Sequence, residues 1–156
     1  MNIYLHIELA VRELDSKLLL ATLAASRGHQ VIISDLPSFI CGLKNRSLAP
    51  GIFHTKSLTG SKEKIDRHQL IIDNGFKITS MDEEGGLVEV DYTDFTLDRY
   101  SKKTLEQASA ILGWGEEDTD ALKVNYSSFS NKIFKTGSPR ADLWKTNFSS
   151  YWNTPT

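Results

Sequence analysis

The sequence is poor in cysteine, in long apolar runs and in excess charge of either sign, and each shortage removes a class of function. One cysteine, Cys41, occurs among 156 residues. An internal disulfide is therefore excluded, which fits a reducing compartment. Cys41 lies in Phe39-Ile40-Cys41-Gly42 with no second ligand beside it. That context reads as a small buried hydrophobe rather than a nucleophile. The longest apolar run, Leu18-Leu19-Leu20-Ala21, falls far short of a membrane span. At most a peripheral membrane association is expected. Residues Met1 to Glu8 lack a basic segment and a small-residue cleavage site, so they are no signal peptide and the expected location is the cytoplasm. The formal net charge is -2. Nothing global draws such a chain to nucleic acid, and no nucleic-acid partner is expected.

Several catalytic signatures are missing too. The sequence holds no G-x-x-x-x-G-K-[ST] phosphate loop, no G-x-G-x-x-G after the first strand and no G-x-S-x-G elbow. His6, His29, His54 and His68 do not fall at metal-ligand spacing, so no metal is expected. No internal repeat or low-complexity tract interrupts the chain.

What is present is an ordinary globular composition, 40% hydrophobic and 24% charged. The length suits one domain, able to bury its core without metals or disulfides. Residues 1–150 read as that domain and 151–156 as a frayed polar tail.

Periodicity then sets the fold class. Strands are expected at 2–8, 30–34, 52–55, 76–81, 110–114 and 132–136. Helices are expected at 16–27, with Asp15 as its cap and Gly28 as its stop, and at 61–74, with Gly75 closing it. Another opens at Thr96 or Ser101 and runs to Ala108, and a last one spans 118–126. Pro37 reads as the end of the second strand. Strands alternating with helices imply βαβ units, hence a three-layer, Rossmann-like α/β fold with a mainly parallel sheet. In such sheets ligands bind at the carboxyl ends of the strands.

Four polar clusters follow predicted strands. Arg12-Glu13-Leu14-Asp15 offers a cap in Asp15 and two side chains that either contact a ligand or form a surface ion pair. His54-Thr55-Lys56-Ser57 places a lysine beside a histidine, a pair suited to phosphate or carboxylate, or simply a solvated loop. Asp82-Glu83-Glu84-Gly85-Gly86 concentrates three carboxylates, where neighbouring negative charge can raise one pKa and create a general base. The bland alternative is a solvated acidic turn. In Thr136-Gly137-Ser138-Pro139-Arg140-Ala141-Asp142-Leu143, Gly137 permits a tight turn and Pro139 suits a first helical turn. Arg140 there faces an anionic group or pairs with Asp142. Trp114 reads as core rather than a sugar platform. Trp144, Phe148, Tyr151 and Trp152 form an aromatic stripe that needs a covering surface.

These clusters, taken in order, resemble a known family. Arg12-Glu13-Leu14-Asp15 before Lys17-Leu18-Leu19-Leu20-Ala21, then Arg27-Gly28-His29-Gln30-Val31, is similar to the opening of bacterial surface carbohydrate biosynthesis proteins. The likeness continues through Pro50-Gly51-Ile52, Lys56-Ser57, Asp82-Glu83-Glu84-Gly85, Arg99-Tyr100-Ser101, Trp114-Gly115 and 136–143. Two departures stand out: the family usually has Asn where this chain has Ser138, and its members continue well beyond residue 156.

Members of that family are similar to GT-B glycosyltransferases, whose two Rossmann-like domains face a cleft. The N-terminal domain generally binds the acceptor and the C-terminal one the nucleotide sugar. The resemblance therefore implies the acceptor-side half of an enzyme of lipopolysaccharide or capsule assembly, inactive alone. It implies no cofactor beyond a nucleotide-sugar donor in the intact protein. The expected partners are a carbohydrate acceptor, an absent C-terminal domain, and a second copy of the chain through the aromatic stripe. The expected catalytic carboxylate is Glu83 or Glu84, with Glu13 in reserve. Arg12, Asp15, His54, Lys56, Asp82, Gly85, Arg99, Ser101, Trp114, Gly137 and Arg140 are the expected substrate-binding residues. A non-catalytic glycan- or protein-binding module is the alternative, and a fragment of a sugar-nucleotide epimerase a third reading.

Overall fold

The computed structural model describes residues 1–86, 88 and 91–153. Six strands form one sheet: β1 (Asn2–His6), β2 (Gln30–Ser34), β3 (Ile52–Thr55), β4 (Lys77–Met81), β5 (Ala108–Gly113) and β6 (Ile133–Lys135). Their order is β2-β1-β3-β4-β5-β6, and every pair is parallel. The connections are α1 (Ala10–Ser26), α2 (Leu36–Lys44), α3 (Lys62–Asp73), α4 (Tyr92–Arg99), α5 (Lys102–Gln107) and α6 (Glu116–Asn125). Two short helices, α7 (Pro139–Asp142) and α8 (Ser149–Trp152), follow β6. This is the expected three-layer, Rossmann-like α/β fold. Among the described residues no helix is long and apolar enough to cross a membrane.

The pleat divides the side chains between two faces. Tyr4, Phe53 and Ile78 share one register row and pack with Phe39 of α2 and Ile71 of α3. Four rings, Tyr4, Phe39, Phe53 and Phe76, meet in stacked and edge contacts with centroids 4.4–5.5 Å apart. A second cluster on that side joins Ile111 and Ile133 to Leu105 and Leu122. On the opposite face, Ile3, Leu5 and Leu112 line a hollow with Leu20 and Ala24 of α1. Phe134 pairs with Leu112 in register and so shares that face, yet it is 48% exposed.

Gly28 and Gly75 end α1 and α3 at φ 82° and 84°, the left-handed stop expected of both. Other expectations need correction. α1 begins at Ala10, five residues before Asp15, so Asp15 is not its cap. Asp15 sits inside the helix and accepts from the Tyr151 hydroxyl at 2.5 Å. The helix at 36–44 was not expected. Asp35 caps it, accepting from Ser38 N–H at 2.7 Å, and Pro37 lies in its first turn. Cys41 is exposed rather than buried, because α2 turns Phe39 and Leu43 inward, four residues apart, and Cys41 between them outward. Of the two expected openings, Ser101 is the one found, as the cap of α5, while Thr96 lies inside α4, a separate helix that was not expected. β1 ends at His6 rather than Glu8, and α6 starts at Glu116 rather than Asp118.

Candidate functional site

The strand order locates the site. From β1 the chain steps outward to β2, then returns past β1 to β3 on its other side. The crevice beyond the carboxyl ends of β1 and β3 is thus a topological switch point, where neighbouring crossovers diverge. A cavity of about 570 Å³ lies there, within the range of small-molecule sites. Its floor is His6, Phe53 and Thr55; α2 contributes Leu36 and Pro37; α3 contributes Lys64, Arg67 and His68. Glu8, Lys56, Glu84 and Arg99 complete the rim.

Most of the rim is charge-paired. Lys56 contacts Glu8. Arg99 grips Asp82 with two hydrogen bonds of 3.1 and 3.0 Å and reaches Glu84 at 2.9 Å. Arg12 bridges Glu13 at 2.8 Å and Glu84 at 3.3 Å. Glu13 is fully buried and also accepts Glu8 N–H at 2.8 Å, which fixes the turn from β1 into α1. Glu83 N–H donates to the Lys56 carbonyl at 3.1 Å and joins the β3 and β4 loops.

The acidic loop 82–84 straddles the edge of the sheet. Asp82 is buried beneath Arg99. Glu83 turns to the α1 side, where its carboxylate meets Lys17 Nζ at 2.5 Å, both side chains almost wholly buried. Glu84 turns the other way and is 49% exposed at the rim of the cavity. A second cavity of about 330 Å³ lies on the α1 side, lined by Lys17, His54, Glu83, Gly137 and Ser138 among others.

The structure thus gathers Arg12, Glu13, Lys56, Asp82, Glu83, Glu84 and Arg99 into one network at the carboxyl edge. Arg140 joins it through a 3.3 Å bond to the Glu83 carbonyl. Other candidates stand apart. His54 is buried on the α1 face, 2.9 Å from the Thr79 hydroxyl. Burial, with Lys17 and His6 nearby, holds its pKa well below the usual histidine value. Ser101 serves α5 as its cap, and Asp15 faces the C-terminal aromatics. Trp114, by contrast, is tied to the network, because its indole N–H donates to the Asp82 carbonyl at 2.6 Å. It also lies so close to Gly86 that a side chain there would overlap its ring. Gly137 adopts φ 79° in the turn before α7.

Reading loops alone missed Lys64, Arg67 and His68, which lie within α3. Their spacing of i, i+3 and i+4 puts them on one helical face, and that was the available signal. Lys64 Nζ donates to Ser57 Oγ at 2.6 Å and Thr59 Oγ1 at 2.7 Å. Burial, with Lys56 next in weight, lowers its pKa to about 8. His6 and His68 are both held to about 4, first by burial and then by surrounding cations. The Nδ1 atoms of both histidines are buried without a hydrogen-bond partner among the described residues.

Comparison of the chain with family models, with curated proteins and with solved structures finds no match in any of the three.

Proposed function

We propose that the switch-point cavity binds a carbohydrate, and that the chain is the acceptor-side half of a glycosyltransferase-like enzyme of surface-polysaccharide assembly. The observation that carries this reading is the cavity itself: a roomy crevice at the carboxyl ends of β1 and β3 with a carboxylate, Glu84, exposed on its rim. Sugar recognition needs polar groups converging over a partly apolar floor. Lys56 and Arg99 beside Phe53, Leu36 and Pro37 provide that combination. In transfer, Glu84 takes the proton of the acceptor hydroxyl as its oxygen bonds to the anomeric carbon of a nucleotide sugar, and the bond from that carbon to the diphosphate breaks, releasing the nucleotide as an anion. Of the three candidate carboxylates, Glu84 alone lines the large cavity; its pairs with Arg12 and Arg99 are half exposed, whereas Glu83 is buried against Lys17.

The reading as one half of a larger catalyst draws on surface exposure. Of the aromatic stripe, Trp144 and Trp152 are 63% and 52% exposed, while Phe148 is half-buried. A self-sufficient binding module, the runner-up, would keep such rings inside.

Glu84→Gln, made in the protein as its source cells produce it, is expected to lower sugar transfer at least roughly a hundredfold, the usual contribution of a general base. Radiolabelled sugar passed from a nucleotide donor to a surface-glycan acceptor reads the effect. Unchanged turnover would remove Glu84 from that role.

A further inference from the structure

Charge accounting in the large cavity leaves a remainder. Its walls carry four cations, Lys56, Lys64, Arg67 and Arg99, and two carboxylates, Glu8 and Glu84. Lys56 is matched by Glu8, and Arg99 by Glu84 together with Asp82. Among the described residues Lys64 and Arg67 have no carboxylate partner. Both histidines on the walls have pKa values near 4, so at neutral pH they are uncharged. Lys64 and Arg67, one helical turn apart on α3, thus line the cavity without an ion-pair partner among the described residues, although the Asp82 carboxylate acts on Lys64 at longer range.

Donor geometry points the same way. An ammonium has three N–H donors. Two of those on Lys64 go to Ser57 Oγ and Thr59 Oγ1, which hold Nζ against the wall and leave the third free. The guanidinium of Arg67 presents a planar fork suited to two oxygens of one group. Beside them, His6 and His68, 7% and 1% exposed, line the same cavity with an unpartnered Nδ1 each. Burial first, and then the charge of Lys56, lowers the pKa of Lys64, with Asp82 opposing them; an arriving anion would act in the same sense as Asp82.

We infer that Lys64 and Arg67 form a phosphoryl subsite in this cavity, and that the ligand is a phosphorylated sugar bound as the dianion of a phosphate monoester. A carboxylate would neutralise only one of the two charges, whereas a phosphate monoester carries close to two at neutral pH. Free phosphate would fill a small part of about 570 Å³; the remaining space over Phe53, Leu36 and Pro37 takes the sugar. The subsite rests on this cavity being the binding site, and not on the transfer reaction.

The test is calorimetric titration of the full chain with glucose-6-phosphate, inorganic phosphate and glucose. The probes are applied to the wild type, Lys64→Met, Arg67→Gln and, as a charge-matched control at the far end of α2, Lys44→Gln. Arg67 makes no ion pair among the described residues, so its substitution is expected to leave the fold intact; the unfolding midpoint checks this. The expected result is that the ester binds more tightly than glucose and weakens roughly tenfold or more in each cavity variant, as loss of a charged hydrogen bond implies. Lys44→Gln should leave it unchanged. Inorganic phosphate should compete with the ester. If phosphate and ester bind with equal affinity and lose it together in the variants, the phosphoryl subsite stands and the carbohydrate reading fails. If ester and glucose bind equally and the variants change neither, the subsite is overturned while the carbohydrate reading survives. No binding of the ester overturns the subsite outright.

Discussion

Lys17→Met is expected to destabilise the fold by about 3–5 kcal/mol, the usual cost of removing one partner of a buried ion pair. The ammonium of Lys17 and the carboxylate of Glu83 are 4% and 6% exposed and 2.5 Å apart. Without Lys17, the Glu83 charge stays in a low-dielectric pocket between α1 and the end of β4, facing a penalty its partner had offset. A domain of this size has only about 5–15 kcal/mol of net stability, so urea unfolding should show a large drop in midpoint. Replacing both partners by apolar residues, Lys17→Met with Glu83→Leu, should recover much of the loss, because no charge is then stranded. A change below about 1 kcal/mol for Lys17→Met would mean that the pair is effectively solvated. Glu84→Gln is the contrast. Glu84 is half exposed, so its pairs with Arg12 and Arg99 contribute little to stability. Loss of activity at Glu83 should therefore come with loss of fold, and loss at Glu84 without it.

Acid should weaken the fold well above the pH at which most carboxylates protonate. His6 and His68 are held to about 4, against an ordinary 6.5. For His6, burial dominates; Glu13 opposes it, and Lys56, Lys17 and Arg67 add to it. For His68, burial is followed by Lys64 and Arg67. Between pH 6.5 and 4 the unfolded chain thus binds protons that the folded chain refuses, so stability falls as pH falls. It is fully present above about 6.5 and is lost down to about 4. Each histidine contributes up to roughly 3 kcal/mol at ~1.4 kcal/mol per unit of pKa difference. Urea unfolding at half-unit steps reads the slope directly. His68→Leu should remove about one proton's share of it. Stability independent of pH between 6.5 and 4.5 would contradict the burial of these rings.

The sequence disclosed the strands because each is a short apolar run bounded by turn residues, and the alternation with helices then required a parallel sheet. It hid α2 because Pro37 ends a strand and begins a helix with equal ease; Asp35 two residues earlier was the cap that could have decided it. It misplaced the start of α1 because no side chain caps that helix. The turn is instead held by Glu13 reaching back to Glu8 N–H.

The strand-end loops hold Lys56 and Glu84, whereas Arg99 reaches the cavity from the end of helix α4. Strand order was not legible, however, and only the order β2-β1-β3 singles out the crevice between β1 and β3. Without it, Lys64 and Arg67 look like any charged residues on the surface of a helix. The loop 82–84 likewise reads as one acidic cluster, whereas the fold divides it: Glu83 pairs with Lys17 on the α1 side, while Asp82 and Glu84 share Arg99 on the other.

The most direct test of the account is to locate the bound ligand. Amide resonances of the isotope-labelled chain should be followed while glucose-6-phosphate is added. Saturable shifts are expected at residues 6–8, 55–59 and 64–68, around the large cavity. Shifts centred on residues 136–138, at the second cavity, or no shifts at all, would contradict it.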